Sequence, residues 1–175
     1  MKKLFLFIFV VLTYSVIGQN QSIDEVRRMY FEDWQGKCGA EDLDRMLGDS
    51  NLENDPVLMA YKAAAKTTLA NCKTTPLSKL SVFREGKDLL EKAVVSAPGN
   101  VEVRFIRFTV QTNIPGFLGY NNMEADKKFI LDNLNLQQQS EMDSDLKNRI
   151  TEYFIQSEDV TAEEKSVLVN SMSGG

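Results

Sequence analysis

The stretch Asp55 to Ala70, DPVLMAYKAAAKTTLA, constrains the fold more than any other part of the chain. Asp55 can accept hydrogen bonds from the first free amides of a helix. Pro56, at the first helical position, gives up an amide that had no partner there. The spacing then predicts a helix over 57–70, with Leu58, Tyr61, Ala65 and Leu69 on one stripe and Ala60, Ala63 and Ala64 beside it. Alanine combines strong helix propensity with a side chain small enough for close approach, so a neighbouring helix should lie tight against this one.

Similar start and stop signals recur along the chain. Ser22-Ile-Asp-Glu25 has capping-box spacing, and Ile23, Val26, Tyr30 and Trp34 continue a helical stripe that Gly36 and Gly39 end. Ala40 to Leu47 reads as a short helix stopped at Gly48, followed by a polar loop to Asp55. Lys73-Thr-Thr-Pro76 breaks the alanine-rich helix. The next helix carries Leu80, Phe83, Leu90, Ala93 and Val94 and stops at Pro98-Gly99. Asn100 caps a helix from Val101 to about Thr112, with Phe105, Phe108 and Thr112 on one side. The alternation of Val101, Val103 and Phe105 with Glu102 and Arg104 also fits a strand, so that reading stays open on pattern alone. Asn113 to Asn122, NIPGFLGYNN, is a loop, and Asn121-Asn-Met-Glu124 opens a helix with Phe129, Ile130 and Leu134. Ser140-Glu-Met-Asp143 and Thr161-Ala-Glu-Glu164 mark two more starts. Between them Met142, Leu146, Ile150, Tyr153 and Phe154 form a stripe, and Ser171 to Gly175 should fray. No Gly/Ser- or Pro-rich linker divides the chain. The reading is therefore all-α: a single domain of antiparallel helices over 19–175.

Residues 1–18, MKKLFLFIFVVLTYSVIG, have the form of an export signal. Two lysines precede an apolar run from Leu4 to Leu12, about nine residues against the roughly 20 that span a bilayer, and small residues follow. Cleavage after Gly18 would leave a mature chain of about 157 residues, the size of one domain. There is no second membrane-length run, so no transmembrane anchor is expected after signal removal, and the mature protein is expected to be soluble, periplasmic or secreted. Loss of the leader lysines moves the net charge from −5 to about −7. That acidity disfavours nucleic acid and anionic membrane as partners, because both are bound through basic surface. Cys38 and Cys72, the two cysteines of an exported chain, either pair or remain two buried thiols.

Gly86, Leu90, Ala93 and Pro98 are spaced like the small residue, large residue, alanine and proline of the second helix of a tetratricopeptide repeat. The match covers one helix and its turn, and Lys73 to Lys79 is a longer connection than that family uses. The string from Phe83 to Ile130, through RFIRFTVQ and the Pro115 to Tyr120 loop, also resembles uncharacterised small exported proteins of the flavobacterial type. These resemblances imply a cell-envelope location and helical-repeat (tetratricopeptide-like) packing. They imply no catalytic residue.

Chemistry is limited by the absence of histidine, which removes the commonest general base and metal ligand. Two cysteines without histidine make a poor zinc site, and Asp49 to Asp55 lacks calcium-loop spacing. No metal or cofactor is expected. Arg104 and Arg107, three apart on a helix, could face a carboxylate or phosphate, or could pair with helix acids such as Glu102, Glu85 or Asp88. The loop residues Phe117, Leu118 and Tyr120 lie between glycines. They form either a contact site, with Arg104, Arg107 and Gln111 as neighbours, or a structural cover. The leading functional reading is an exported, non-catalytic helical module that binds a protein or peptide partner in the cell envelope. A carboxylate-dependent envelope enzyme would need two close acids in a cleft. A carrier of a small apolar ligand would need a closed pocket lined by Phe105, Phe108 and Phe117.

Overall fold

The computed structural model describes residues 22–32, 38–48, 52–134 and 142–173, and among them there are eight α-helices and no strand. The leader, Trp34, Gly36 and the Gln137 to Gln139 tract lie outside the described residues. Helix α3, Pro56–Leu69, begins as its sequence dictates: the Asp55 carboxylate accepts from the amides of Val57 and Leu58 at 3.1 and 3.0 Å. Its alanines Ala60, Ala63, Ala64 and Ala65 are all buried.

The tight neighbour is α4, Pro76–Ser96, which contacts α3 more extensively than any other pair of elements touches. Gly86 makes the close approach possible. A Cβ there would lie 2.7 Å from both Cγ2 and N of Thr67 and 2.9 Å from the Ala63 carbonyl. Thr75 starts α4, accepting from the Ser78 amide at 3.2 Å while Ser78 Oγ accepts from the Thr75 amide. The sequence had marked that segment only as a break.

Helix α5, Val101–Thr112, settles the strand alternative in favour of a helix, with Asn100 Oδ1 accepting from the Val103 amide at 3.0 Å. Ten of its twelve residues are buried. Its polar residues still keep a helical period, with Arg104, Arg107 and Gln111 at i, i+3 and i+7 on one face, and the strand-like alternation is confined to Val101 through Phe105. Phe105 and Phe108 pack into Phe154, with ring centroids 6.4 and 4.9 Å apart, and Phe31 stacks on Phe105 at 5.9 Å.

The remaining helices wrap this centre. They are α1, Ile23–Phe31; α2, Glu41–Leu47; α6, Met123–Asn133; α7, Ser144–Gln156; and α8, Ala162–Ser173. A single core draws on all eight, from Val26 in α1 to Leu168 in α8. Several sequence expectations shift. Ser22 makes no side-chain cap: the Glu25 amide goes to the Ser22 carbonyl at 3.0 Å, and the Glu25 carboxylate is held by Arg28 at 2.7 Å. Helix α1 spans Ile23–Phe31 with Glu32 at its C-cap, and the last position of the expected stripe, Trp34, lies outside the described residues. Asp143 rather than Ser140 caps α7, and α8 continues through Ser171 to Ser173. Thr161 and Glu164 do form the expected reciprocal pair, at 2.8 and 3.3 Å. No helix among the described residues is long and apolar enough to cross a membrane.

Candidate functional site

The arginines singled out by sequence converge on a buried carboxylate from another helix. Asp126 of α6 is fully buried and accepts two hydrogen bonds from Arg107, each at 2.7 Å, and one from the Gln111 amide at 2.9 Å. Arg104 adds an ion pair at 3.1 Å whose angle falls outside hydrogen-bond geometry. Arg107 also donates to Glu91 of α4, which accepts from the Tyr120 hydroxyl at 2.5 Å. Arg104, Arg107, Gln111 and Tyr120 are thus brought together, and the acids that hold them are Asp126 and Glu91. Glu102, Glu85 and Asp88 do not take that role. Two guanidinium charges meet two carboxylates, so the cluster carries no surplus charge for an external ion.

The pKa directions agree with this closure. Burial works against the Arg107 charge, but the Asp126 hydrogen bonds hold its pKa above the ordinary arginine value. Burial, reinforced by Glu91, pushes the Tyr120 hydroxyl well up. Leu118 is half-buried, and Gly119 takes a φ of 66°, a conformation that favours glycine. The Phe117 side chain lies outside the described residues.

A second buried acid was missed as a site. Glu102 of α5, 5% exposed, accepts from Arg27 of α1 twice at 2.8 Å and from the Tyr61 hydroxyl at 2.7 Å. Burial and the Glu102 charge raise the Tyr61 pKa well above its usual value. Only long-range packing joins residues 75 positions apart, so no spacing rule could have found this pair.

A separate concavity contains none of the acids of these clusters. It is a half-open cleft of about 410 Å³ between α1, α3, α5 and α7. Thr67, Thr68 and Asn71 line one side, and Thr109, Asn113 and Tyr153 line the other; Tyr30 and Phe31 contribute aromatic surface. Among the described residues, no carboxylate, lysine or arginine lines it. Tyr30 bonds to Thr109, and burial raises its pKa. Phe105 and Phe108 belong to the core and do not line this cleft.

Cys38 and Cys72 are joined in a disulfide, with Cα atoms 5.6 Å apart. The bridge fastens the start of α2 to the turn that carries Asn71. Glu41 lies close enough to complete a three-ligand group with the two sulfurs, but bonded sulfurs offer no thiolates to a metal. The acidic stretch Asp49 to Asp55 falls partly outside the described residues. Compared with known protein families, curated proteins and solved structures, the chain matches none.

Proposed function

We propose that this protein is an exported, non-catalytic helical module of the cell envelope that binds a protein or peptide partner, and that the partner enters the cleft between α1, α3, α5 and α7. The observation that carries this reading is the lining of the cleft: aromatic rings, hydroxyls and carboxamides, with no acid, base or cation among the described residues that form it. General acid–base work needs a group able to exchange a proton near neutral pH. Burial shifts the Tyr30 hydroxyl upward, away from that range. Aromatic and neutral polar side chains are instead the materials of recognition surfaces. Stacked helix pairs of the tetratricopeptide kind belong to the same proposal. Their support is the close α3–α4 crossing at Gly86, with buried Leu90 and Ala93 on the same helix.

The export signal and the disulfide support the location, because such bonds persist outside the cytosol. The test is capture from the native envelope fraction by wild-type protein and by Thr68→Trp, which fills the cleft. The expected result is a partner held by the wild type and released by Thr68→Trp, while Arg104→Lys retains it. Equal capture by the folded Thr68→Trp variant would contradict the reading.

A further inference from the structure

The hydrogen-bond directions inside the cleft say more than its lack of charge. Thr109 gives its hydroxyl proton to the Ile106 carbonyl at 2.8 Å, so in its bond with Tyr30 it accepts. Thr112, beside the cleft, gives its proton to the Thr109 carbonyl at 3.0 Å and therefore accepts from Tyr153 at 2.9 Å. Asn113 turns its amide protons toward the Thr109 carbonyl at 2.8 Å and the Thr112 and Tyr153 oxygens at 3.3 Å. The side-chain donors of Thr109, Thr112, Asn113 and Tyr153 are thus spent within the protein. What this side offers is acceptors: the Asn113 carbonyl and the remaining lone pairs of Tyr153.

The opposite side differs. Thr67 sends its proton to the Ala64 carbonyl at 2.8 Å, but Thr68 and Asn71 have no side-chain hydrogen-bond partner among the described residues. Asn71 is exposed, and its carboxamide keeps two donors and an acceptor. One side therefore reads donors, and the other supplies a free amide that also donates.

Resting on the partner-binding reading above, we infer that the cleft holds a short uncharged peptide segment recognised through its amide groups. A ligand N–H faces Asn113 and Tyr153, and a ligand carbonyl accepts from Asn71. A peptide amide presents these two edges together on opposite sides of one planar group. A carboxylate or phosphate would meet only lone pairs on the α5–α7 side, and an ammonium group would be desolvated with no carboxylate to pair with. The Phe31 and Tyr30 rings supply the apolar contact that a small neutral side chain needs.

The test is titration calorimetry of wild-type protein with blocked tripeptide pools that share one backbone and differ only in a neutral, acidic or basic central side chain. A fourth pool replaces the central amide N–H of the neutral peptides with an ester oxygen, and maltose is included as an uncharged hydroxyl ligand. The expected result is binding of the neutral pool, weakened about tenfold by the ester and about tenfold by Asn71→Ala, the size of one net hydrogen bond. Equal binding of the ester, preference for a charged pool, binding of maltose alone, or no binding of any peptide would overturn the inference. If cleft-dependent capture of a partner persists in any of these cases, the function proposal stands and the amide-recognition inference fails alone. If capture ignores Thr68→Trp, the function proposal has failed.

Discussion

The Asp126 cluster and the α1–α3–α5–α7 cleft share helix α5 and use it in opposite ways. At Asp126, α5 contributes Arg104, Arg107 and Gln111, and each full charge meets its counterpart inside the protein. At the cleft, the same helix contributes Thr109 and is followed by Asn113, whose protons are spent internally while acceptors face the open space. The difference teaches that conspicuous charge here fastens helices together. Among the described residues, the open cleft is lined by neutral groups that sequence patterns pass over.

Breaking the cluster should have the largest effect. Asp126→Ala leaves two arginines facing a buried vacancy and should destabilise the fold by about 3–5 kcal/mol, seen as an earlier urea midpoint. A loss below about 1 kcal/mol would mean that the pairs are incidental. Removing the bridge with Cys38→Ser/Cys72→Ser frees a loop of 34 residues' separation and should cost about 3–4 kcal/mol in denaturant unfolding. Because Cys72 adjoins Asn71, this change should also loosen one side of the cleft.

Gly86→Ala sharpens the comparison from behind the cleft. The added methyl meets the backbone of Ala63 and Thr67, so it should destabilise by about 1–3 kcal/mol despite alanine's better helix propensity. It also pushes on Thr67, a cleft residue, and should weaken peptide binding while leaving the Asp126 pairs intact. At the small end, Asn71→Ala and Asn113→Ala should change stability by no more than about 1 kcal/mol, since Asn71 has no side-chain hydrogen bond to lose and Asn113 is exposed.

Alkaline pH acts on both regions at once. Burial raises Tyr61 and Tyr120, and Tyr30 as well, above the ordinary tyrosine value of about 10. The unfolded chain therefore loses these protons first. Their contribution is whole below about pH 10 and is lost as pH rises beyond it toward the folded values. Phenolate absorbance should thus appear together with loss of helical signal, whereas free titration of all tyrosines in a folded chain would contradict their burial.

Most of the fold was legible because its signals are local. Asp55-Pro56, Asn100 and Thr161 announce helix starts within four residues, and the alanines of α3 announce a close neighbour. The Ser22 capping box does not form: the Glu25 amide takes the Ser22 carbonyl, and the Glu25 carboxylate pairs with Arg28. Asp126 and Glu102 were not legible as partners, because their pairings depend on how helices distant in sequence cross. The cleft was harder still. Thr68, Asn71 and Asn113 are ordinary polar residues until the direction of each neighbouring proton is known.

The most direct measurement compares the two regions in one experiment: nitrogen–proton correlation spectra of the side chains, recorded as the neutral blocked tripeptide pool is added. The expected result is movement of the Asn71 and Asn113 carboxamide signals while the Arg104 and Arg107 Nε signals stay fixed. Movement of the arginine signals with silent asparagines would place recognition at the charged cluster and contradict the division of labour along α5.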